Sequence, residues 1–171
     1  MTEQPSPAGQ ADRDTIGSVL GRTPSGVFIL TAADSAGNET GMLASWVQQA
    51  SFDPPMVSVA VNNKRYLKQW LDDSPRMALS LVGESQLRLL KHFGKGFAPG
   101  EAAFDGLTVS RGQTGLLVLP DALGFLEGTV AGQVAAGDHT VYLLEITSAG
   151  KGDALATEKP MVHIRKNGFN Y

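Results

Sequence analysis

Three short groups of residues in this 171-residue chain carry side chains whose types and spacing could do chemistry. The first is Ser45, Trp46, Gln48 and Ser51, inside GMLASWVQQASFDPPMVSVAV at residues 41–61. Gly41, Ala44 and Ser45 are small and let a ligand approach the backbone, while Pro54-Pro55 makes a stiff corner after the polar crossing at Ser51 and Asp53. Hydroxyls beside accessible backbone suit an aromatic ligand that bears a phosphate. The plainer reading is that Ser45 and Ser51 satisfy local backbone groups and Trp46 fills the core. The second group is Asn62-Asn63-Lys64-Arg65, where Asn63 is expected to cap a helix over residues 64–71. A helix start offers free N–H groups and partial positive charge to an anion, and two cations would add to it. A capped surface helix with solvated cations is the alternative. The third is Gly137-Asp138-His139, a turn that delivers an imidazole to the head of an apolar strand. There it could donate to a cofactor, act as acid or base, or simply be structural beside a turn aspartate.

Other chemistries are poorly supported. The chain has no phosphate loop, no G-x-G-x-x-G after a strand and no G-x-S-x-G elbow. His92, His139 and His163 lie far apart and lack the i, i+4 spacing of a zinc helix, so a protein-bound metal is not expected. With no cysteine, disulfides and thiolate chemistry are excluded. A net charge of −3, with Lys64-Arg65 and Arg165-Lys166 as the only basic clusters noted, argues against nucleic acid as a partner. No run approaches the roughly 20 apolar residues of a membrane helix. The N-terminus has neither a basic start nor an apolar segment, so a cytoplasmic protein is expected.

The elements that must position these groups read as mainly β. Residues 1–11 are rich in Pro, Ser, Gln and Gly and are expected to be a disordered leader, with one domain over residues 12–171. A short helix is expected over residues 14–20. Strands follow at 26–31 and 42–47, joined as a hairpin by Ser35-Ala36-Gly37-Asn38. The next strand, 56–61, should place Met56, Ser58 and Ala60 on one face and Val57, Val59 and Val61 on the other. A strand at 77–82 precedes a helix at 85–93 with Leu87, Leu90 and Phe93 as its buried stripe, then a glycine-rich loop at 94–100. Further strands are expected at 107–110, 116–119, 125–135, 139–147 and 161–164, with Gly124, Gly128, Gly132 and Gly137 at bulges and corners. Many antiparallel strands with two short helices between them indicate a closed or partly closed β-barrel.

Three stretches, GMLASWVQQASFDPPMVSVAV, LLKHFGKGFAPGEAAFDGL and GDHTVYLLEI with the terminal VHIRKNGFNY, resemble the flavin reductase-like family in order and spacing over residues 22–171. They are most similar to the C-terminal flavin reductase domain of diflavin flavodiiron proteins. The resemblance implies an antiparallel Greek-key split barrel of the FMN-binding type. It implies FMN as cofactor, with FAD or riboflavin as substitutes, NADH or NADPH as reductant, and hydride transfer to flavin N5. Electrons would pass to free flavin or a protein acceptor, and the flavin would sit between the subunits of a homodimer. By the same resemblance Leu43, Ala44, Ser45, Trp46 and Ser51 meet the flavin, with Ser51 approaching the ribityl-phosphate. Asn62, Lys64 and Arg65 lie near the phosphate, His139 is the catalytic candidate on the nicotinamide side, and residues 91–95 close over the ring. Diflavin members carry a metal-binding and a flavodoxin-like domain ahead of this module. Neither is found here, so the reductase module alone is expected. A non-enzymatic FMN electron carrier, or a split barrel holding haem, pyridoxal phosphate or no ligand, are the other readings.

Overall fold

The computed structural model describes residues 10–170. In chain order the elements are α1 (Gln10–Arg22), β1 (Ser25–Gly26), β2 (Phe28–Ala33), β3 (Glu39–Ala44), β4 (Val47–Ser51), β5 (Met56–Asn62), α2 (Leu67–Asp73), β6 (Arg76–Leu81), α3 (Leu87–Gly94), β7 (Ser110–Arg111), β8 (Leu117–Val118), β9 (Gly124–Ala136), β10 (His139–Lys151) and β11 (Val162–His163). They fall into two compact units, residues 26–161 and residues 10–25 with 162–170.

The larger unit is built on a seven-stranded antiparallel sheet in the order β3-β2-β6-β9-β10-β5-β4. Within it β6, β9 and β10 follow one another and β5 lies beside β10, which is a Greek key. β3 and β4 stand at opposite ends of this order, yet only Ser45 and Trp46 separate them in the chain. Consecutive Cα atoms are about 3.8 Å apart, so Ala44 and Val47 lie within about 11 Å of each other. The sheet must therefore curl until its two edges approach, and Ser45-Trp46 bridges the seam. The expected Greek-key split barrel is what forms.

Alternation fills the barrel. Val57, Val59 and Val61 are buried, while Met56, Ser58 and Ala60 on the opposite face of β5 are half-exposed, as their spacing requires. They join Leu30, Leu79, Leu144, Tyr142 and, from α2, Leu67 and Leu71 in one apolar cluster. Full burial of one such aliphatic side chain contributes about 1.5–3 kcal/mol. Two glycines are dictated by position. Gly137 turns β9 into β10 at φ +65°, and a side chain at Gly128 would overlap the Glu145 carbonyl on the neighbouring strand. In the smaller unit, α1 lies against the C-terminal segment. The Arg165 N–H donates to Gly21 O (2.8 Å), and the Arg13 guanidinium sits 4.2 Å above the Phe169 ring.

Several local expectations are corrected. α1 begins at Gln10, so the last two residues of the expected leader are helical, and residues 1–9 lie outside the described residues. The strand expected at 42–47 ends at Ala44, and a separate strand occupies the expected polar crossing from Val47 to Ser51. The expected strand at 107–110 shortens to Ser110–Arg111. In α3 the buried residues are Leu89 and Phe93, and Leu87, on the first turn, is exposed. α2 starts at Leu67, three residues later than a cap at Asn63 would set it, and Tyr66 stands at its cap. Asn63 is not free to cap because it is bonded to the β9–β10 turn. Its Nδ2 donates to Gly137 O (3.2 Å), and its Oδ1 accepts from Thr140 Oγ1 (2.7 Å). No helix among the described residues is long and apolar enough to cross a membrane.

Candidate functional site

The antiparallel pairing of β5 with β10 puts His139 opposite Asn62. One strand further along the seam, the Trp46 carbonyl accepts the Ala60 N–H (3.0 Å). These two pairings bring the Trp46 indole against the His139 imidazole, with ring centroids 4.7 Å apart and planes tilted 42°. His139 is buried, and its Nδ1 lies 2.7 Å from Asp138 Oδ1. That bond, helped by the charges of His139 and Lys64, holds the Asp138 carboxyl below the usual aspartate range. An ionised carboxylate has no proton to give, so Nδ1–H is the donor. Four residues singled out from the sequence, Trp46, Asn62, Lys64 and His139, thus meet at one end of the barrel. Beside Trp46, the Ser45 hydroxyl is buried and has no hydrogen-bond partner.

Lys64 and Arg65 do not sit on a helix start. The Lys64 N–H donates to the Asn62 side chain (2.9 Å) and the Arg65 N–H to the Asn62 carbonyl (3.0 Å), forming a turn ahead of α2. Both N–H groups are consumed, so the anion-binding backbone expected there is withdrawn and only the two exposed cations remain. Arg65 faces the glycine-rich loop, where a side chain at Gly96 would come within 3.1 Å of Arg65 Nη1. The next residue pins that loop, since Tyr66 OH donates to Phe97 O (3.0 Å) and accepts from Thr40 Oγ1 (2.8 Å). At Gly94 a side chain would touch Leu43, so residues 94–97 pack between Leu43 and Arg65. His92 serves the scaffold of this loop, with Nε2 2.8 Å from Ala103 O.

Ser51 is not brought to this cluster. It pairs with Met56 at the far end of β5, six residues from Asn62, or about 20 Å at 3.3 Å per residue. Within one chain, Ser51 and the Lys64-Arg65 turn therefore stand at opposite ends of β5. Ser51 and Gln48 instead line the rim of a 500 Å³ cavity whose apolar walls include Phe28, Val57, Leu126 and Ile146. Sequence reasoning missed Asn63 as the brace of the His139 turn and Tyr66 as the clasp of the loop. The pairing partners are distant in sequence, and neither contact has a local signature. Among the described residues no group of three or more His, Cys, Asp or Glu could hold a metal ion.

A split antiparallel barrel with polar and aromatic groups gathered at its seam matches a known family. Residues 20–170 fit the model of the flavin reductase like domain, and the chain belongs to that family. It is 36% identical over 156 residues to diflavin flavoprotein A 1 of Synechocystis sp. strain PCC 6803, covering 89% of this chain. It spans about a quarter, 26%, of the length of that relative. Among solved structures it is similar to the NADH:FAD oxidoreductase SgcE6 of Streptomyces globisporus C-1027, with a TM-score of 0.79 and 26% identity over 96% of this chain and 93% of the other. The flavin reductase of the styrene monooxygenase of Pseudomonas putida S12 shares the fold, at a TM-score of 0.72 and 24% identity over 86% and 91% of the two chains.

Proposed function

We propose that this chain is an NAD(P)H-dependent flavin reductase that binds FMN, works as a homodimer and passes electrons to free flavin or a protein acceptor. FAD and riboflavin are alternative occupants. The observation that carries the reading is the Ser45 hydroxyl, buried at the barrel seam without a partner. Such a group costs about 1–3 kcal/mol when left unmade, and the edge of a flavin ring, with carbonyl acceptors and an N–H donor, would satisfy it. The indole–imidazole pair beside it and two exposed cations beyond it fit the ring and the phosphate of the same ligand.

When bound, the flavin supplies a hydride acceptor and a store for two electrons. The chain's own residues then have separable tasks. Ser45, with the backbone of Leu43 and Ala44, fixes the ring edge. Lys64 and Arg65, on the Asn62 turn, balance the phosphate charge as side chains alone. Trp46 holds the His139 ring by stacking, and Asp138 occupies its Nδ1, which leaves Nε2 to meet the nicotinamide nucleotide. The reading is tested by equilibrium dialysis of the purified protein against FMN at micromolar concentration, followed by anaerobic mixing with NADH and NADPH. Retained flavin that bleaches on mixing is expected, and no retention overturns the proposal.

A further inference from the structure

We propose that the open end of the barrel, on the Ser51 side of β5, is a second ligand site that takes a small neutral aromatic molecule. The proposal does not rest on the flavin reading, because the site lies at the other end of β5 from the seam cluster. Its walls follow from the alternation that fills the barrel. Val47 and Val57 belong to the core, and Phe28, Leu126 and Ile146 pack against that same core while staying half-buried. Antiparallel pairing brings them to one rim. Phe28 opens β2 opposite Leu81 at the end of β6, Leu81 in turn pairs with Gly124 at the start of β9, and Val57 faces Leu144, two residues before Ile146. α2 covers the core elsewhere with the buried Leu67 and Leu71, but among the described residues no helix contributes to this rim. What remains is a 500 Å³ cavity walled by β2, β4, β5, β6, β9 and β10, a size and position typical of small-molecule sites in barrel mouths.

The lining defines the occupant. None of the lining side chains is charged, and an ion there would lose its water without gaining a partner, so the ligand is neutral. The Phe28 ring among aliphatic walls suits another ring, which would complete the burial that Phe28, Leu126 and Ile146 lack. Polar groups gather on one side only, as the carboxamides of Gln48 and Gln49 and the Ser51 hydroxyl. Gln49 Nε2 donates to the Ser51 carbonyl at 3.4 Å, a long bond that a hydroxyl on the ligand can replace. A 360 Å³ lobe shares Phe28, Leu81 and Leu126 with this cavity and leads away to Lys151. That cation is absent from the main lining, so a carboxylate ligand would have to lie in the lobe instead.

The test titrates the purified protein, with and without saturating FMN, into micromolar N-phenyl-1-naphthylamine, a neutral fluorophore that brightens in apolar surroundings. Saturable binding of one probe per chain is expected, with a dissociation constant of about 100 µM or tighter for a ligand of this size. FMN should change it by less than about twofold, since separate sites need not be coupled. Ile146→Trp and Leu126→Trp, on different strands, each fill the cavity and should weaken the probe by about tenfold or more, with melting curves showing that the variants are folded. At neutral pH 1-naphthol should compete at least about tenfold better than the 1-naphthoate anion. Absence of saturable binding, undiminished affinity in both folded variants, or displacement of the probe by FMN overturns the second site. Better competition by 1-naphthoate overturns the neutral chemistry and moves the ligand to the Lys151 lobe. Loss of probe binding in a dimer fraction from size exclusion shows the mouth covered by a second copy and also overturns the proposal. Failure to retain FMN overturns the reductase reading alone and leaves this site standing.

Discussion

Replacing Ser45 by alanine should move stability and ligand affinity in opposite directions. The hydroxyl is buried and unpartnered in the absence of ligand. Burying an unsatisfied hydroxyl costs about 1–3 kcal/mol on protein mutational scales, and the methyl group of alanine removes that cost without opening a large cavity. The ligand-free S45A protein should then be more stable by about 1 kcal/mol. For a chain of this size that raises the melting temperature by about 2–4 °C. The flavin complex loses one neutral hydrogen bond, worth about 0.5–1.5 kcal/mol, so FMN should bind about 2–13-fold more weakly. Melting curves with and without FMN, together with fluorescence titration of FMN, measure both quantities in one preparation. A hydroxyl that merely serves the fold predicts the reverse, namely a lower melting temperature and unchanged affinity. That result would refute the assignment of Ser45 to the flavin edge.

Three further outcomes follow from the same site and scaffold. Replacing Lys64 and Arg65 together by alanine should weaken FMN by about tenfold at low salt, leave riboflavin nearly unaffected, and lose much of its effect at high salt because both side chains are exposed; equal weakening of both flavins would show that the turn only shapes the fold. His139→Ala should slow flavin reduction by NAD(P)H by about 10²-fold or more if the imidazole acts in the transition state, with the rate of reduction by dithionite unchanged, as read by single-turnover stopped flow. Glu127 is fully buried in β9 and accepts hydrogen bonds from the backbone of Gln113 and Thr114 and from the Thr114 hydroxyl. Glu127→Ala strands those donors and should cost about 3 kcal/mol, a fall of about 6–12 °C in melting temperature, whereas an unchanged melt would mean that the loop relaxes to water.

What the sequence made legible is what local rules control. The strict alternation of Met56–Val61 placed three valines inside and three residues outside, and the turn punctuation located six of the seven strands of the main sheet to within a few residues, β4 being the one not read. Misreadings occur where a distant partner overrides a local preference. Asn63 is a good helix cap by type, but Thr140 and Gly137 claim its side chain from across the sheet, and α2 starts late as a result. In α3 the expected stripe holds at Phe93, which is buried, and at Leu90, which packs against the same cluster, but Leu89 is buried in place of Leu87, which sits exposed on the first turn.

The candidate site divides along the same line. Trp46, Asn62, Lys64 and His139 come together because β5 pairs with β10 and because two residues, Ser45 and Trp46, join the first and last strands of the sheet order. Ser51 looked equivalent to Ser45 in composition, and both are short hydroxyls near small residues. Only the register separates them, since Ser51 faces Met56 whereas Trp46 reaches Ala60. A strand that rises about 3.3 Å per residue turns a six-residue interval into a separation longer than any single hydrogen-bonded contact can bridge. In the proposed flavin reading the phosphate goes to the Asn62 end of β5, where Lys64 and Arg65 supply exposed cations, because the far end offers Ser51 and Gln48 beside an apolar cavity with no positive side chain among its lining residues.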